Sequence, residues 1–172
     1  KDGAPRKIIF LLHGYGRSAY FMTKVARKIA ESVPDALILA PEGPEELQLP
    51  EENEEMYVLR IPEILKNDTV DQSLRRQWFT IATDNVEDYQ RWMDTRASQL
   101  NAFIDKKRDE FGLSDKDIGI MGFSQGGAVA LCTAFSRDQE VAAAIGHSNP
   151  VYNSFDSYHS KPPTLYIYGD ND

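Results

Sequence analysis

The residues best equipped for covalent chemistry gather around one serine. Ser124 sits in IGIMGFSQGGAVAL, residues 118–131, where an apolar run meets Gly122-Phe123-Ser124-Gln125-Gly126-Gly127 and a second apolar run follows. On a tight strand-to-helix turn a serine hydroxyl is exposed at the end of the strand. Its flanking residues must be tiny, because a Cβ there collides with neighbouring backbone. This G-x-S-x-G spacing is that of a nucleophile elbow, and it implies acyl transfer: the hydroxyl attacks a carbonyl once a base has taken its proton. The chemistry also needs donors for the developing oxyanion. His13-Gly14-Tyr15-Gly16 closes another apolar run, and the N–H of Tyr15 paired with that of Gln125 would form such a hole, each donor worth ~3 kcal/mol in the transition state.

These residues require a particular scaffold. Residues 7–12, KIIFLL, are apolar after Lys7 and read as a strand buried on both faces. Ser18 is a candidate N-cap for a helix whose apolar positions, Met22, Val25, Ala26, Ile29, Ala30 and Val33, recur at helical spacing until Pro34. A second strand over 36–40 completes a βαβ unit, hence parallel strands. The stripe Val86, Tyr89, Met93, Ala97, Leu100, Phe103 and Ile104 predicts a long helix. It opens at an acidic capping box over 84–87 and stops at Gly112. Strands over 117–121, 141–145 and 164–168, with a helix over 128–135, complete an α/β fold with a mostly parallel sheet. Between about 45 and 77 the periodicity fails, in an acidic, Pro-containing stretch read as an insertion over one end of the sheet, with a disordered acidic excursion as the alternative. Ligands in open α/β sheets bind beyond the carboxyl ends of the strands. That rim collects His13, Glu42, Ser124, Gln125, His147 and the aspartates Asp170 and Asp172.

Composition narrows the functions. With 172 residues the chain suits a single domain. The net charge of −8 argues against nucleic acid as a partner, since phosphate binding needs a basic face. No apolar stretch approaches the roughly 20 residues that span a bilayer, so stable membrane insertion is not expected. A single cysteine, Cys132, excludes an intramolecular disulfide, and with no apolar run in KDGAPRK it fits a reducing, cytoplasmic setting. Cys132 lies in an apolar helical run and is expected to be buried. The oligomeric state is not set by the sequence, a homodimer being one admissible arrangement.

Competing sites are weaker. Gly14-x-Gly16-x-x-Ala19 after a strand matches a dinucleotide fingerprint, with Glu42 placed to bind a ribose, but it leaves GFSQGG unexplained. GFSQGG lacks the G-K-[ST] ending of a phosphate-binding loop. The three histidines, His13, His147 and His159, are scattered and there is no cysteine cluster, so no metal is expected. Trp78-Phe79 follows the insertion as a core anchor or as lining of the site.

LLHGYG, GFSQGGAVAL, QWFTI before the long helix and PTLYIYGDND resemble the carboxylesterase and acyl-protein thioesterase family of α/β-hydrolases. The resemblance covers the chain apart from the 45–77 stretch, which is longer than the family's usual connection. It implies an α/β-hydrolase fold with helices on both faces of the sheet. It also implies a cofactor-free serine hydrolase of small-molecule esters, thioesters or acylated substrates. Ser124 matches the nucleophile, Tyr15 and Gln125 the oxyanion donors, and Asp172 the triad acid, with Asp170 as runner-up. His13, Gly14, Trp78 and His147 would line the site. Thr80 stands where the family usually has aspartate. A lysophospholipase or lipase activity, or a non-catalytic binding domain of the same fold, is the alternative.

The base remains to be identified. His13 is committed to the oxyanion turn, and His159 precedes the last strand, away from the rim. His147 is the one internal candidate at the carboxyl ends. Serine, acid and histidine follow one another along such chains, and the expectation is therefore a histidine beyond Asp172, with a further strand and helix, in a longer reading frame.

Overall fold

The computed structural model describes residues 3–47, 75–81, 85–149, 158 and 160–170. A five-stranded sheet forms its centre, with every adjacent pair parallel and the order β2-β1-β5-β6-β7. β1 is Lys7–Leu12, β2 Ala36–Leu39, β5 Ile118–Phe123, β6 Ala143–His147 and β7 Thr164–Ile167. The short strands β3 (Glu45–Glu46) and β4 (Arg76–Gln77) pair antiparallel in a separate ribbon. This ribbon closes the two ends of the expected insertion; residues 48–74 lie outside the described residues.

Among the described residues three α-helices accompany the strands: α1 over Thr23–Ser32, α2 over Val86–Glu110 and α3 over Gln125–Phe135. Side chains alternate across a strand, so Ile118 and Ile120 of β5 share a face. They are buried with Ile8, Phe10 and Leu12 of β1, Ala144 of β6, Met93, Ala97, Leu100 and Ile104 of α2, and Val129 to Cys132 of α3. α3 consists almost wholly of small and apolar residues because it is sandwiched between sheet and α2, with ten of its residues buried.

Local chemistry sets the helix ends. The Asn85 side chain accepts the Glu87 N–H at 3.0 Å and caps α2, with Glu87 and Asp88 in its positive first turn. Gly112, at φ 64°, supplies the left-handed residue that ends it. A further 3-10 turn over Asp115–Asp117 carries a complete capping box between Ser114 and Asp117. At the far end of the core, Arg137 is buried against Asp115, with Nη2 2.9 Å from Oδ1 and Nε 3.1 Å from Oδ2, while Arg108 and Asp105 complete the network. Burial pushes the Asp115 carboxyl upward, but hydrogen bonds from Arg137 and Arg108 outweigh it and hold the group below its usual range.

Some expectations shift. Ser18 makes no side-chain cap: the chain enters a 3-10 turn over Ala19–Met22, and α1 begins only at Thr23. Val86 is 61% exposed and does not belong to the buried stripe of α2. β6 starts two residues later than the apolar run suggests. Val141 is fully buried but precedes the ladder, which opens with Gly119 opposite Ala143.

Candidate active site

The site forms where β5 gives way to α3. Ser124 lies between them with φ 51° and ψ −124°, a backbone conformation that L residues seldom adopt and that costs ~1–3 kcal/mol. Its N–H donates to the His147 carbonyl at the end of β6 (2.8 Å), and its own carbonyl accepts from Gly127 N–H (2.8 Å) and Ala128 N–H (3.2 Å). The serine is thus pinned from both sides, half-buried, and its hydroxyl hydrogen-bonds to none of the described residues.

The glycines around it are demanded by contact. A Cβ on Gly126 would sit 2.3 Å from the His13 carbonyl oxygen, so β1 and the first turn of α3 approach at backbone distance. A Cβ on Gly14 would lie 3.3 Å from the Ser124 Cβ, which brings the loop after β1 alongside the serine. Gln125 is the first residue of α3, where helix N–H groups have no intrahelical acceptor and the dipole favours negative charge. Tyr15 follows Gly14 on the adjoining loop and is half-buried.

His13 is fully buried, and both ring nitrogens are occupied. Nδ1 donates to the Gly14 carbonyl (2.8 Å) and Nε2 accepts the Gly43 N–H (2.8 Å), a pattern that defines the neutral tautomer protonated on Nδ1. Burial pushes its pKa below the ordinary 6.5, against the pull of the Gly14 bond and of Glu42, whose carboxylate is 3.5 Å from Nε2. Trp78, 4% exposed, lies beneath the loop, with its indole N–H donating to the His13 carbonyl (2.8 Å). It therefore underlies the Gly14–Tyr15 turn as a buried anchor. The role of the Gln125 side chain was not foreseen from sequence. Its Oε1 accepts the Trp78 N–H (2.8 Å) and its Nε2 donates to the Phe79 carbonyl (2.7 Å), joining α3 to the segment before α2. A polar residue opening an otherwise apolar buried helix was the available signal.

His147 reaches the rim, but its ring packs edge-on against Phe123, centroids 5.2 Å apart, and makes no hydrogen bond to Ser124. Asp170 is exposed three residues beyond β7, while Asp172 and His159 lie outside the described residues. Glu42 Oε2 accepts the Ala19 N–H at 3.0 Å. The Gly14–Gly16 turn leads into a 3-10 turn and α1 begins only at Thr23, so the helix that a dinucleotide fingerprint opens directly after its glycines does not start there. Cys132 is buried, and burial pushes its thiol up to about 11, away from nucleophilic chemistry. Among the described residues no cluster of His, Cys, Asp or Glu is placed to hold a metal, and no helix is long and apolar enough to cross a membrane.

Comparison with known proteins agrees with this geometry. The phospholipase/carboxylesterase family matches residues 61–172. Among solved structures, esterase PE8 is 25% identical with a TM-score of 0.73, over 98% of this chain and 71% of that one. SOBER1 of Arabidopsis thaliana is 20% identical with a TM-score of 0.70, over 98% and 76% of the two chains. The carboxylesterase of Bacillus cereus is 18% identical with a TM-score of 0.64, over 100% and 69%. With its parallel sheet, its helices and this family match, the chain belongs to the phospholipase/carboxylesterase family of α/β-hydrolases.

Proposed function

We infer that the protein is a serine hydrolase of carboxylic esters or thioesters acting through an acyl-enzyme, with Ser124 on a nucleophile elbow. The observation that carries this reading is the positive-φ serine at the β5–α3 junction, beside the Gly14–Tyr15 loop and at the helix N-terminus. Ser124 Oγ attacks the carbonyl carbon as its proton passes to the base. The tetrahedral oxygen takes its charge between the N–H groups of Tyr15 and Gln125. Collapse breaks the ester bond, the leaving group departs with the proton from the base, and water later releases the acid by the reverse transfers.

Neither described histidine serves as that base. His13 has both nitrogens engaged inside the protein, and the His147 ring lies against Phe123. We assign Asp172 to orient the imidazole of the catalytic histidine, in the order serine, acid, histidine. Substrates are small-molecule esters or acylated molecules.

Turnover of p-nitrophenyl esters from acetate to palmitate by the full-length protein tests this reading. Hydrolysis of at least one chain length is expected, falling by ~10⁴-fold or more in Ser124→Ala. Folded wild-type protein that cleaves none of them overturns it. A lysophospholipid in the same panel separates lipid hydrolysis from small-ester cleavage.

A further inference from the structure

Every polar group of Trp78 is taken, each by a different part of the molecule. Its backbone N–H goes to Gln125 Oε1 on α3, its carbonyl accepts from Arg96 Nε on α2, and its indole N–H goes to the His13 carbonyl at the end of β1. Gln125 completes a two-point clamp through Phe79, and both Trp78 and Gln125 are 4% exposed. The two oxyanion donors lie on separate elements, Tyr15 on the loop after β1 and Gln125 at the head of α3. A continuous path joins them: Tyr15, Gly14, the His13 carbonyl, the Trp78 indole, the Trp78 backbone, the Gln125 side chain. A buried amide costs free energy unless both ends are bonded. Here both are, and the bonds fix lengths where apolar packing would fix only volume.

We propose that Trp78 and the Gln125 side chain are positioning residues that set the separation of the Tyr15 and Gln125 N–H donors, and so tune the transition state without touching substrate. The inference rests on the serine-hydrolase reading above. An oxyanion hole acts only when its donors match the place the charge will occupy, and a displacement near 1 Å is enough to cost ~100-fold.

Three variants of the full-length protein test it. Trp78→Phe keeps a ring and removes the indole donor. Gln125→Met keeps the length and removes both clamp bonds. Gln125→Glu restores the clamp only while its carboxyl is protonated, accepting from Trp78 and donating to Phe79. Expected are a kcat lowered ~10-fold or more with KM within about twofold in the first two, and in Gln125→Glu a kcat that falls as that carboxyl ionises. A purely structural role would lower the melting temperature and leave kcat per folded molecule unchanged. Any one of the first two variants that folds and keeps the wild-type kcat overturns the proposal. If wild type itself cleaves no ester, the hydrolase reading fails and this inference fails with it; if wild type is active and the folded variants match it, the inference alone fails.

Discussion

A Cβ placed on Gly122 would stand 2.1 Å from the carbonyl oxygen of Gly126. The last residues of β5 and the first turn of α3 are packed so closely that backbone meets backbone, and Ser124 is squeezed into its positive-φ bend between them. Neither partner of that contact is a flexible side chain, so an added methyl must displace the turn. Gly122→Ala is expected to cost about 2–3 kcal/mol by overpacking and to lower ester turnover ~100-fold through misplacement of the serine. Gly3→Ala, where nothing lies within 4 Å, is the neutral control. Urea denaturation and kcat on the same samples check both.

The neutral His13 predicts an acid-side loss of stability. Its folded pKa lies below 6.5 because burial disfavours the imidazolium. The unfolded chain therefore takes up this proton first, and stability falls as pH drops below about 6.5 until the folded pKa is passed. Protonation also removes the lone pair that accepts the Gly43 N–H. Urea midpoints between pH 8 and 5 should decline in wild type and decline less in His13→Gln, which lacks this buried imidazole. An equal decline in both would assign the effect elsewhere.

The buried Arg137–Asp115 pair is expected to matter for folding and not for chemistry. Removing one member leaves a buried charge short of partners, which costs ~3–5 kcal/mol. Arg137→Met should lower stability by about that amount with kcat per folded molecule unchanged. The Asp115 carboxyl is depressed below 3.8, so its contribution is present above that pH and is lost as pH falls through the folded value. Calorimetry and activity on matched samples separate the two effects.

Much of this was legible from residue order because two periodicities dominate. KIIFLL is β1 from Lys7 to Leu12, since a continuous apolar run that follows a charged pair and closes on a glycine turn has few other uses. Gly112 ends α2 where expected because a helix stop there needs left-handed backbone. Where the reading slipped, tertiary contact decided. Val141 is as buried as any strand residue yet sits outside the ladder, a distinction hydrophobicity cannot make. α3 begins at Gln125, before the two glycines read as turn, because their lack of side chains serves close packing against β1 and Asn149. The site was more legible in its serine and glycines than in the struts beneath. Nothing in one sequence pairs Gln125 with Trp78, 47 positions apart.

The most direct measurement is covalent capture of the serine. The full-length protein is incubated with a fluorophosphonate, digested, and the peptide carrying residues 118–131 is weighed and fragmented. One adduct on Ser124, absent after denaturation and absent in Ser124→Ala, is the expected result. Folded protein left unmodified, or labelled on a different residue, contradicts the claim that Ser124 is an activated nucleophile.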